Sequence, residues 1–140
     1  RTRDFIGKVR SLNWRVETAD YDLYSLVGKI EGFCERHLLP NRSSHALQLL
    51  AEEILGLLLA GPGPHSIDLT LAYSERNHNL ELRLDSRGPP GNPLETNESP
   101  DELALTLIRS YADAIHYERL KDQNRLRIQV KQDNPLKIGP

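Results

Sequence analysis

The residues with the clearest chemical potential lie in the stretch Asp85-Ser86-Arg87-Gly88-Pro89-Pro90-Gly91-Asn92-Pro93-Leu94-Glu95. Two Gly and three Pro fall within its residues 88–94. A loop of this kind, set at the end of a strand, leaves backbone uncovered by side chains on a scaffold rigid enough to hold a ligand. Other chemistry is less well supplied. His37, His45, His65, His78 and His116 show no metal-ligand spacing, and Cys34 near His37 has no companion ligands. A Cys34–His37 nucleophile competes with a plainer role for Cys34 in an apolar helical stripe. The chain holds no Gly-x-Ser-x-Gly elbow and no phosphate-binding lysine loop.

The elements that must position the loop follow from periodicity. Leu12, Trp14 and Val16 alternate with Ser11, Asn13, Arg15 and Glu17, which predicts a half-buried strand over 11–17. From Asp20 the period becomes helical: Leu23, Leu26, Val27, Ile30, Phe33 and Cys34 make one stripe, ending near Leu39-Pro40. Gly28 and Gly32 lie inside that helix, as a flat face for another backbone or as tolerated weak points costing roughly 1 kcal/mol each. Ser43 or Ser44 is the expected cap of a second helix running to about Ala60, and Gly61-Pro62-Gly63-Pro64 is its stop. Its stripe of Leu47, Leu50, Ala51, Ile54, Leu57 and Leu58 marks it as the most buried helix. Alternation over 67–73 and 80–84, joined by Ser74–Asn79, predicts a hairpin that feeds the loop. Ser99-Pro100-Asp101-Glu102 then reads as a helix start with Ser99 as cap, leading to an apolar face of Leu103, Leu107, Ile108, Tyr111 and Ala112. A strand begins with Ile115 and Tyr117, turns over Lys121–Asn124 and returns through Leu126, Ile128 and Val130.

Each expected strand is apolar on one side only. The fold class is therefore α+β: a two-layer sandwich with one mixed, mostly antiparallel sheet of about five strands, covered on one face by three helices. We expect a single domain over 1–132 and a frayed tail over 133–140.

Composition narrows the function. A formal charge of -2 over 140 residues leaves no basic footprint for nucleic acid. Arg125, Arg127 and Lys131 alternate as the wet face of a strand does. A single cysteine excludes an internal disulfide and suits a reducing, cytoplasmic setting. The leucine-rich run 47–60 is too short to span a membrane and carries Glu52 and Glu53, so no membrane contact is expected. The chain begins at Arg1 and contains no Met, which suggests a domain cut from a longer protein.

The element order, the acidic pair Glu52-Glu53 in the second helix and the loop Gly88-Pro89-Pro90-Gly91-Asn92-Pro93-Leu94 together resemble the histidine-kinase-like ATPase superfamily. The nearest branch is that of the bacterial anti-sigma-factor serine kinases, whose loop reads Gly-x-Pro-Phe-Asn-Pro-Leu. Leu50-Ala51-Glu52-Glu53-Ile54-Leu55 and Leu107–Tyr117 add to the likeness, which covers about residues 10–132. The resemblance implies ATP and magnesium held between the helices and one end of the sheet. It implies a glutamate base at Glu53 and nucleotide contacts from Asp85, Ser86, Gly88 and Gly91. Three features depart from that pattern. Four residues after Glu53, where the family has a metal-ligating asparagine, stands Leu57, and the same spacing from Glu52 finds Gly56. Two residues before Gly88, where the family has an adenine-reading aspartate, stands Ser86. Asp85 is one residue too early and would face the pocket only if a bulge at Arg87 reversed it. The glycine-rich phosphate segment is replaced by Asp101-Glu102-Leu103-Ala104, which puts two carboxylates where phosphates would approach.

The expected function is accordingly a regulatory protein-interaction domain with nucleotide binding weakened or lost and no required cofactor. Its partner would be a sigma-factor-like or anti-anti-sigma-like regulator, a fused domain, or a second copy paired through the N-terminal strand. The alternatives are an active ATP-dependent serine kinase using Glu53, with Asp85 recovered by the bulge, and a small-molecule sensor whose vestigial pocket is lined by Glu53, Ser86 and Arg87.

Overall fold

A computed structural model describes residues 9–59, 66–95 and 101–132. Its elements in chain order are strand β1 (Val9–Glu17), a short 3-10 turn (Thr18–Asp20), helices α1 (Leu23–Arg36) and α2 (Asn41–Leu59), strands β2 (Ser66–Ser74) and β3 (Asn79–Arg87), helix α3 (Glu102–Tyr111), and strands β4 (Ala112–Leu120) and β5 (Gln123–Val130). The five strands form one sheet in the order β1-β2-β3-β5-β4. All four pairings are antiparallel, so the sheet has none of the mixed character expected for it.

Period-two sequence makes the sheet two-faced. Ile67, Leu69, Leu71 and Tyr73 of β2, Leu80, Leu82 and Leu84 of β3, and Leu126, Ile128 and Val130 of β5 are all buried on the helix side. They join Leu26, Ile30 and Phe33 of α1, Leu47, Leu50, Ile54 and Leu55 of α2, and Ile108 of α3 in one core cluster. Each fully buried Leu, Ile or Phe contributes about 1.5–3 kcal/mol by leaving water. Helix α2 packs between α1 and α3, which accounts for its width of apolar stripe. At the β1 edge, Lys29 of α1 sits with its Nζ 5.9 Å from the ring centre of Trp14.

Helix ends differ from the sequence reading in ways their hydrogen bonds explain. Asp22 caps α1, its Oδ1 accepting from the Tyr24 amide at 3.0 Å. The helix closes at Arg36, before Leu39. The Leu39 amide reaches back to the Cys34 carbonyl at 2.8 Å and the Leu38 amide to Glu35 at 3.2 Å, a Schellman closure. It places Leu38, 91% exposed, at φ 57, the left-handed position glycine usually fills. Neither Ser43 nor Ser44 caps α2. Both are buried within its first turn, and their amides donate to the Pro40 carbonyl at 3.0 and 3.3 Å. The helix thus starts as soon as Pro40 supplies its first acceptor. Asp101, not Ser99, caps α3, and Ser99 and Pro100 lie outside the described residues. Strand β4 begins at Ala112, three residues early, because a register shift between Ala112 and Ala114 lets the chain leave the helix directly into the sheet. The Gly61–Pro64 stop and the 133–140 tail also fall outside the described residues.

Candidate functional site

The Gly/Pro loop leaves the end of β3 and folds over the helix face of the sheet, where its anchors come from the β4–β5 hairpin. Gly88 sits at φ 152, a conformation that side-chain-bearing residues rarely adopt. Its amide donates to the Asp122 carbonyl at 3.3 Å, and Arg119 Nη1 donates to its carbonyl. The Gly91 amide donates to the Tyr117 hydroxyl at 2.9 Å, and that hydroxyl donates to Asn124 Oδ1 at 2.7 Å. Asn124 Nδ2 closes the circuit by donating to the Pro89 carbonyl at 2.9 Å. Farther along, Asn92 Oδ1 accepts from the Leu94 amide at 3.0 Å, and Leu94 packs against the core. The loop is held as one piece by three side chains of its own chain.

Ser86 lies beneath this loop on the helix face, 7% exposed, because it shares the parity of Leu82 and Leu84. Asp85 lies on the other face. The pairs Asp85↔Arg125, Ser86↔Asn124 and Arg87↔Gln123 run without interruption, so the bulge that would have turned Asp85 inward is absent. Asp85 is instead gripped by Arg125, whose Nε and Nη2 donate to its two oxygens at 2.7 and 3.3 Å. Glu53 belongs to α2, on the helix side, and is half-buried. The sheet therefore stands between Glu53 and Asp85, and the expected pairing of base and adenine reader does not form. Leu57, at the position of the missing metal ligand, packs against the core. At the start of α3, Asp101 Oδ1 accepts from the Ala104 amide at 3.1 Å, so a donor that would otherwise meet an anion is already satisfied by a carboxylate.

Among the described residues no three His, Cys, Asp or Glu side chains gather as a metal site, and no described helix is long and apolar enough to cross a membrane. Cys34 is buried in the core, and burial pushes its thiol up to about 11, far from a reactive thiolate. His37 packs its ring at 4.6 Å, edge-on, against Phe33. The Cys34–His37 nucleophile has no support in this geometry.

The residues that sequence reasoning missed are Tyr117, Arg119 and Asn124. Tyr117 shares the parity of Ile115, and its sequence position marks it only as a strand residue. Asn124 read as part of a turn, whereas the turn is only Lys121 and Asp122 and Asn124 belongs to β5. Their polar ends converge only because hairpin pairing sets Tyr117 beside Leu126 and Arg119 beside Asn124. No protein-family model matches the chain, and no curated protein is significantly similar to it.

Proposed function

We propose that this chain is a regulatory protein-interaction domain of the histidine-kinase-like ATPase type, nearest the anti-sigma-factor serine kinases, in which nucleotide binding has been weakened or lost. The observation that carries this reading is the internal use of the loop's polar groups. The Gly91 amide, a natural donor to a ligand, is taken by Tyr117, and the carbonyls of Gly88 and Pro89 are taken by Arg119 and Asn124. A nucleotide competing for them would have to break a connected set of hydrogen bonds, each worth about 0.5–1.5 kcal/mol net. Leu57 against the core and Asp101 at the α3 cap remove metal and phosphate contacts from the same region.

A domain of this kind acts by contact, with a sigma-factor-like or anti-anti-sigma-like regulator, a fused domain or a second copy, in the cytoplasm. The β1 edge favours that use. Strand β1 pairs with β2 over nine consecutive residues without a bulge, whereas the opposite edge strand, β4, carries a register break. A regular edge strand without a bulge is a template for adding another strand.

Calorimetric titration with a non-hydrolysable ATP analogue and magnesium tests the nucleotide claim. The expected result is no saturable binding at micromolar concentrations. A micromolar Kd that weakens on Glu53→Gln or Ser86→Ala would overturn it and restore the kinase reading. Sedimentation of the wild type and of Ser11→Lys, at an exposed position of β1, tests the edge: association that survives the added charge counts against β1.

A further inference from the structure

The open face of the sheet, away from the helices and the loop, carries a second polar arrangement. Asp68 of β2 and Asp85 of β3 are direct cross-strand partners on this face. Like charges placed directly opposite on neighbouring strands repel and weaken the pairing. Among the described residues, each acid is paired with an arginine on its far side. Arg15 Nε on β1 donates to Asp68 at 3.1 Å, and Arg125 on β5 takes Asp85. In the row Arg15–Asp68–Asp85–Arg125 the two acids are neighbours with no cation between them.

Over this pair opens a cavity of about 300 Å3 lined by Arg15, Ser66, Asp68, Asp85, Arg87 and Gln123. All six lining side chains are polar, and they are graded by depth. The carboxylates form the floor, with side-chain exposures of 30% for Asp68 and 11% for Asp85. The guanidinium groups form the rim, at 62% for Arg15 and 76% for Arg87. Among the described residues, the ion-pair partner of Arg87 is Asp122 at 3.2 Å, itself solvent-exposed.

We propose that this cavity binds a small zwitterion of the free α-amino acid class, its ammonium group on Asp68 and Asp85 and its carboxylate against Arg87 and Arg15. An ammonium group carries three donors and would relieve the repulsion between the two acids. A carboxylate matches the planar fork of a guanidinium. The graded charge disfavours simpler occupants. A bare anion would meet the carboxylate floor. A divalent cation would find two carboxylates, short of the oxygen set it needs, under two guanidinium groups. The site lies on the opposite side of the sheet from the Gly/Pro loop and does not depend on the nucleotide reading.

A thermal-shift panel of free L-amino acids at millimolar concentration, followed by calorimetry of the best stabiliser, tests the proposal on the full chain. At least one amino acid should raise the melting temperature. Its decarboxylated amine and its N-acetyl derivative should each bind about tenfold more weakly or less, a loss of about 1.4 kcal/mol. Asp68→Asn and Arg87→Gln should each weaken binding by about the same factor. Arg87 belongs to an exposed ion pair and Asp68 to a partly exposed one, so both variants should remain folded, which circular dichroism melting checks. The proposal is overturned if no amino acid stabilises the chain, if the amine alone binds as well as the amino acid, or if both variants retain wild-type affinity.

Discussion

Replacing Glu81 should expose how much of this domain's stability rests on the charged side of its sheet. Glu81 lies on the open face yet is only 6% exposed, because three long side chains close over it. Arg83 Nη2 donates to its Oε2 at 3.0 Å. Arg127 Nη2 and Nε donate to Oε1 at 3.1 and 3.3 Å, and Gln129 Nε2 donates to the same oxygen at 2.8 Å. Removing one partner of a fully buried ion pair costs about 3–5 kcal/mol, since the remaining charge is stranded. Here the guanidinium groups are 30% and 40% exposed and can turn to water, so the cost is discounted. We expect Glu81→Ala to lose about 2–3 kcal/mol, and Glu81→Gln, which keeps an acceptor, about 1–2 kcal/mol. In urea the alanine variant should unfold about 1 M earlier at neutral pH.

Acid denaturation supplies an independent check on the same residue. Burial pushes the Glu81 carboxyl upward, but hydrogen bonds from Arg127 and Arg83 and their charges outweigh it and hold it below its ordinary value of 4.5. A carboxyl depressed on folding contributes stability that is fully present above the unfolded value and is lost as pH falls through the folded one. The wild type should therefore lose stability on acidification below about 4.5, and Glu81→Gln should lack that portion of the slope. A cost below about 0.5 kcal/mol, as for exposed surface pairs, together with an unchanged acid slope, would refute the reasoning.

Three further outcomes are expected. Gly28 lies mid-helix in α1 with nothing within 4 Å of where a Cβ would stand, so Gly28→Ala should stabilise by about 1 kcal/mol and raise the melting temperature by about 4 °C. Tyr117→Phe removes the nearer acceptor of the Gly91 amide, leaving Asn124 Oδ1 at 3.4 Å, and should cost about 1 kcal/mol, with faster hydrogen exchange at Gly91 as its local signature. Cys34, buried and with its thiol pushed up to about 11, should resist iodoacetamide in the native state at about pH 8 and react only after unfolding, as intact mass will report.

The layered fold was legible because each strand repeats its apolar residues at two and each helix at three and four. Strand β2 illustrates this: Ile67, Leu69, Leu71 and Tyr73 are buried and the residues between them are not. Helix ends were less legible, since caps depend on which backbone groups are left without a partner. Ser43 and Ser44 look like caps in sequence, but Pro40 already supplies the first acceptor and leaves them facing the core. The candidate site was legible as a loop and not as a network. Gly88 through Leu94 announce a shaped turn, while nothing in the spacing of Tyr117, Arg119 and Asn124 says that they hold it.

By itself the sequence determined which side of each strand turns inward, because a two-residue period leaves only one burial solution for an alternating strand. Parity also put Ser86 with Leu84 and Asp85 against it. It could not determine whether an irregularity reversed that parity, and only the unbroken ladder from Asp85↔Arg125 to Arg87↔Gln123 decided the matter. Tertiary structure alone brought Asp68 opposite Asp85 and set Tyr117 and Asn124 under Gly91. Those meetings depend on the register of the two hairpins and on the loop folding back onto the second of them, and no local preference fixes either.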